Sequence, residues 1–215
     1  MRRTFQIVTD ALMTITLFLL MAFQVTGTQV HEYIGIVMAV LIIAHNVLNH
    51  RWYKRLFKGR YTSVRVWITG MNIALMASLV MQMVSGIILS RYALSFLPSW
   101  GREAIARRIH LACAQWSYLL TGLHLGNHWL MVMRGKQWSS WVKALGYILA
   151  ICGLVVLMQT DVAGYMFMRQ TFFIYADSEP VVYTFLKLVC LFALYVFSGS
   201  RMMKFLTRMN RQRTI

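Results

Sequence analysis

Six long apolar runs, each closed by a charged or turn-rich stretch, dominate this chain of 215 residues. They lie at roughly 7–27, 30–50, 65–90, 107–133, 142–160 and 180–200, and about twenty such residues, wound as a helix, cross the ~30 Å hydrocarbon layer of a bilayer. Lys, Arg, Asp and Glu make up 13% of the chain, against about 25% in soluble domains. No alternation over about ten residues repeats, which argues against a β-barrel. The expected fold is therefore all-α: a single polytopic membrane domain over 1–215 with six transmembrane helices.

The formal net charge is +16, which in a soluble chain would suggest nucleic acid. Here the basic residues sit between the apolar runs and at the two ends, as the positive-inside rule requires, so nucleic acid is not an expected partner. The rule places Arg2, Arg3, the 51–65 loop, the 134–143 loop and the tail from Arg201 in the cytoplasm, together with both termini. Glu32, Glu103, Asp161, Asp177 and Glu179 fall on the outer side. No small-residue cleavage site follows the first run, so it reads as a retained helix. Cys113, Cys152 and Cys190 lie inside apolar runs without metal-type spacing and read as small hydrophobes.

A repeat is visible. Val25–Gly27 (VTG), His31, His45, Asn49 and His50 occur in the first two runs; Val84–Gly86 (VSG), His110, His124, Asn127 and His128 occur in the next two. The reading is a four-helix core over 5–133, made of two related hairpins. A further hairpin over 134–215 is added outside it, with an aromatic loop at 161–179.

All six histidines fall on the second and fourth runs or at their ends. Ionisable side chains inside a membrane are costly and usually functional. Both runs carry two histidines fourteen residues apart, just under four helical turns, so the pair shares one face and spans ~21 Å along the axis. The two runs cross in the same direction. His31 is thus expected opposite His110 near the outer surface, and His45 opposite His124 deeper in. A bare metal ion needs more converging ligands. A haem brings four nitrogens of its own and needs two axial ligands, which facing imidazoles supply. Two b-type haems are expected, with one as the alternative count, and His31, His45, His110 and His124 as iron ligands.

Secondary candidates surround these. His128 lies one turn past His124 on the same face, as an alternative ligand or a contact for a propionate or a quinone head group; His50 is off that face. Interfacial hydrogen bonding is the competing role for both. Arg107 and Arg108 at the outer level, with Arg51 and Arg55 below the inner one, suit propionates, or serve as interface anchors. Gly35, one turn after His31, would let a flat ring approach; Gly27, Gly86 and Gly122 serve similarly or pack helices. Lys187 is expected to snorkel outward. The sixteen methionines read as packing.

His31-x3-Gly35, then His45 with Leu48-Asn49-His50-x-Trp52, then His110, then HLGNHW at His124–Trp129, resembles the flavinylation-associated cytochrome family (the DUF4405 domain) over about residues 5–133. Departures are Ala114 at the place matching Gly35, and His50 where the family often has Trp. The resemblance implies a transmembrane b-type cytochrome with His31, His45, His110 and His124 as ligands. It also implies electron transfer across the bacterial plasma membrane to flavinylated or other extracytoplasmic redox proteins. The chain has no Gly-rich nucleotide fingerprint, so flavin or nicotinamide chemistry belongs to a partner, and the expected role is the cytochrome b subunit of an oxidoreductase complex. Quinol or a cytoplasmic protein is the expected donor. The competing reading is a non-redox transporter or scaffold whose histidines relay protons or bind a transition metal, with Asp10 as its intramembrane carboxylate.

Overall fold

The structure is a computed structural model and describes residues 2–98, 101–132, 139–172 and 179–212. Asp177 and parts of the 134–143 and 161–179 loops lie outside the described residues. Among those described, the chain is helical, with no strand: α1 Arg2–Met21, α2 Phe23–Leu48, α3 Arg51–Arg55, α4 Ser63–Leu89, α5 Glu103–Val132, α6 Ser140–Gln159, α7 Val162–Met166 and α8 Val181–Gln212. Five of these, α1, α2, α4, α6 and α8, are long and apolar enough to cross a membrane. The exposed surface agrees: 14267 Å² is accessible, against about 10,200 Å² for a compact soluble chain of this mass. Large apolar side chains such as Ile151, Met158 and Val182 point outward.

The run expected at 107–133 is the exception. It forms α5, which carries Arg107, Arg108, His110, Gln115 and Asn127 and is less apolar than the other long helices. Its position explains its composition. α5 packs along both α4 and α8 and buries Ala106, Ala112, Ser117, Tyr118 and Asn127. A helix in the middle of a bundle meets protein on most sides, so its polar groups find partners. Ser117 Oγ meets Ser78 Oγ of α4 at 2.8 Å, and the Asn127 oxygen accepts from Trp67 Nε1 at 3.1 Å.

Small residues bring α5 onto α8. A Cβ at Gly126 would lie 2.2 Å from the Val196 carbonyl oxygen, and one at Gly199 would lie 2.5 Å from that of Leu123. Gly122 and Gly126 stand one turn apart in a small-xxx-small pattern, and side chains at these points would force the two backbones apart. Gly122 therefore packs against Tyr195 and does not face a ring site. α6 meets α8 the same way, at Gly153 over the Cys190 carbonyl. The expected outer hairpin divides accordingly: α6 lies mainly against α8, whereas α8 helps build the centre. Phe192 and Tyr195 of α8 join Tyr118 and Phe18 in an aromatic cluster, edge-on in all its contacts but the tilted Tyr118–Phe192 pair. The buried Tyr118 hydroxyl donates to the Leu188 carbonyl at 2.7 Å.

Helix ends differ from the expected ones for local reasons. α1 stops at Met21, and α2 begins two residues later. Gly27 then breaks α2 at φ +69°, ψ 171°, a region that is essentially glycine's alone. α8 runs on to Gln212, past the apolar residues, in a basic stretch carrying Arg201, Lys204 and Arg208.

The α1–α2 hairpin packs closely within itself and only sparsely on the α4–α5–α8 body. Side chains bridge the divide. Gln24 donates to Thr184 at 2.6 Å. Glu32 accepts from Ser90 Oγ at 2.8 Å and from the backbone N–H groups of Arg91, Tyr92 and Ala93, each at 2.9 Å. The third bridge is made by histidines.

Candidate haem site between two helical hairpins

Helix periodicity puts the histidines of α2 and α5 on inward faces, and the structure brings them together in two clusters. In the outer one, the His31 and His110 rings face each other across the gap, centroids 6.1 Å apart and inclined at 69°. The break at Gly27 folds Phe23 back so that its ring meets His31 edge-on at 5.0 Å. His110 leans on α4: its Nδ1–H donates to Ser85 Oγ at 3.1 Å, and its Nε2 accepts from the Gln82 amide at 3.1 Å. The Ser85 hydroxyl donates in turn to the Met81 carbonyl, which settles the direction of the first bond. Gly86 makes this possible, since a Cβ there would lie 3.3 Å from His110 Cε1. The Leu20 backbone lies close to the His31 ring.

The inner cluster holds His45, His124 and His128 with Asp10. His45 Nδ1–H donates to Asp10 Oδ1 of α1 at 2.7 Å. His124 Nδ1–H donates to Asn72 Oδ1 of α4 at 2.9 Å. The His128 ring lies 4.7 Å from that of His124, and both are within electrostatic range of His45 and Asp10.

The repeat is thus legible as hydrogen bonding. In each hairpin the first helix supplies an oxygen to Nδ1 of the inner histidine, Asp10 in one and Asn72 in the other. Ten residues further along, Leu20 lies near the outer histidine in one and Gln82 hydrogen-bonds it in the other. The asparagines repeat too: Asn49 accepts from Gln6 of α1 at 3.0 Å, as Asn127 does from Trp67 of α4.

Other expected site residues spread out. Gly35 faces open space, with nothing within 4 Å of a Cβ built there. Arg107 lies over the Phe172 ring at 5.7 Å, while Arg51 and Arg108 are exposed. His50 is exposed and bonds only its own turn, at the Val47 carbonyl, in keeping with its place off the inward face. Lys187 pairs with Glu179 and lies over Tyr183. Asn72, Gln82 and Ser85 were not anticipated from the sequence. Their signal was that Asn72 and Gln82 are lone amides in a long apolar run, as Asp10 is a lone carboxylate.

These residues fit a haem in three respects. Two imidazoles project from different hairpins at each level. Engaged Nδ1 atoms on His45 and His124 leave Nε2 with its lone pair inward, the state in which a histidine ligates. The outer cluster also carries an unfilled polar demand: His31 Nδ1 and Gln82 Oε1 are buried without a hydrogen-bond partner among the described residues. Such groups cost about 1–3 kcal/mol each when left bare. The 6.1 Å between the His31 and His110 ring centroids is about the separation of two imidazoles that share one iron. No three His, Cys, Asp or Glu side chains converge on a point among the described residues.

Comparison with protein-family models, with curated proteins and with solved structures finds no match.

Proposed function

We propose that this chain is a di-haem b-type cytochrome of the bacterial plasma membrane. In this reading six helices span the bilayer, α5 being the sixth, with both termini in the cytoplasm, and electrons pass between quinol or a cytoplasmic donor and an extracytoplasmic, flavinylated redox partner. The observation that carries it is the facing of His31 of α2 and His110 of α5, ring centroids 6.1 Å apart, with His31 Nδ1 buried and unpartnered among the described residues; His45 and His124, held at Nδ1 by Asp10 and Asn72, support a second level. The resemblance of the histidine pattern to flavinylation-associated cytochromes supports the same reading. His31 and His110 would hold one haem, and His45 and His124 the other; bound haem supplies one-electron redox chemistry.

The chain's own groups do the rest. Ser85 orients His110 through Nδ1, and Gln82, which holds Nε2, would give way to the iron; Asp10 and Asn72 orient His45 and His124. The Glu32 clamp ties the outer end of α2 to the turn after α4. Protein purified from haem-replete cells should give a pyridine haemochrome spectrum of haem b with two haems per chain. His31→Ala and His45→Ala should each remove mainly one. Absence of haem b from the wild-type chain overturns the proposal; loss of all haem in His45→Ala with none lost in His31→Ala leaves a single-haem protein.

A second reading has one specific observation in its favour. The Asp10–His45 pair is the carboxylate–imidazole arrangement a proton relay uses. Tightly bound zinc or copper, or proton flux without a Soret band, would select it.

A further inference from the structure

Of the four paired histidines, three have a side-chain oxygen on Nδ1, and only one of those oxygens belongs to a carboxylate. Asp10 Oδ1 stands 2.7 Å from His45 Nδ1; Asn72 Oδ1 takes the corresponding place on His124 at 2.9 Å, and Ser85 Oγ that on His110. His31 Nδ1 has no partner among the described residues. The two hairpins are thus matched in geometry and unmatched in charge. We infer that Asp10 and Asn72 are positioning residues that fix the inner imidazoles by Nδ1, and that the Asp10 carboxylate biases the inner centre toward its oxidised state. The inference rests on the haem reading above.

The physical reason is direct. A carboxylate accepting the Nδ1–H pushes electron density onto the ring and makes Nε2 a stronger donor. A stronger, more anionic donor favours the more highly charged, oxidised iron and lowers the reduction potential. A neutral amide oxygen holds the same tautomer without adding charge. Outer-sphere partners of this kind change metal affinity by about 10–100-fold. Asp10 acts through one hydrogen bond to one of two ligands, which puts its effect at the lower end. Exchange of carboxylate for amide should therefore change the preference for oxidised over reduced iron by about tenfold, which is about 59 mV for a one-electron couple.

The experiment is a spectroelectrochemical titration of the purified, haem-loaded chain as wild type and as Asp10→Asn, Asp10→Glu and Asn72→Asp, with low-temperature EPR of the oxidised form. Asp10→Asn should raise the midpoint of one component and leave the other in place. Asn72→Asp should lower that same component, and Asp10→Glu should restore near-wild-type behaviour. Opposite shifts confined to one component, with haem content retained, are what a merely structural role cannot produce. Unchanged midpoints and EPR spectra in haem-loaded Asp10→Asn and Asn72→Asp would overturn this inference and leave the haem reading standing. Equal shifts of both components would also overturn it. Should Asp10→Asn not assemble, Asn72→Asp decides alone. A wild-type chain without haem overturns both.

Discussion

Glu32 illustrates how much a single side chain does here. Its carboxylate gathers three backbone N–H groups and a hydroxyl from the turn after α4, and so joins the two hairpins at the outer end. Glu32→Ala leaves those donors to water and should cost about 1–2 kcal/mol, read as a lower melting temperature in detergent and faster proteolysis near residues 90–98. Gly35 offers the opposite case. A Cβ there touches nothing, so Gly35→Ala should leave the fold as stable or slightly more so. If a flat ring lies over this point, haem content falls in the same variant, which makes absorbance per chain the deciding measurement. Asp161, outside the long helices, caps α7. Hydrogen bonds from the Gln170 side chain and the Gly164 N–H hold its carboxyl below the usual aspartate range. A lowered folded-state value means the clasp is complete above that range and is lost as pH falls through the depressed value. The Gly164 amide resonance should titrate with a midpoint below that of free aspartate.

Among the elements, the crossing of α5 on α8 constrains the site most. Gly122 and Gly126 face α8, and His124, two residues from each, lies about 200° round the helix from both, so the same packing aims its ring at α4 and the α1–α2 hairpin. Gly126→Leu would drive a side chain into the Val196 carbonyl and should destabilise the protein by about 3 kcal/mol or more, seen as a lower unfolding midpoint; the proposed haem between His45 and His124 would be lost with it. The pattern is readable in the sequence as small residues one turn apart. Which helix they receive is not, because α8 follows some seventy residues later and nothing local marks it as the partner. The kink at Gly27 is similar: glycine permits the dihedral, and the packing of Phe23 on His31 uses it.

At the scale of the whole molecule, two bodies meet loosely: the α1–α2 hairpin and the α4–α5–α8 unit with α6 outside it. A cofactor held between them should tie them together. Hydrogen exchange in α1 and α2 should therefore slow when haem is loaded, while α5 and α8 change little; equal protection in both forms would argue against a ligand in the gap. Reporter fusions after residues 58 and 212 should report the cytoplasm, and fusions after 97 and 170 the outer side.

Apolar runs and the interval between histidines are properties of one dimension. The chain's own order therefore determined its all-helical, membrane-embedded character and which residues share a helix face. Only the tertiary structure decided what meets those faces, because rotation and depth of one helix against another depend on contacts between distant residues. Asp10 reaches His45 across 35 positions and Asn72 reaches His124 across 52. Burial of α5 behind its neighbours likewise explains why the least apolar long helix sits at the centre, which a reading of hydropathy along the chain cannot anticipate.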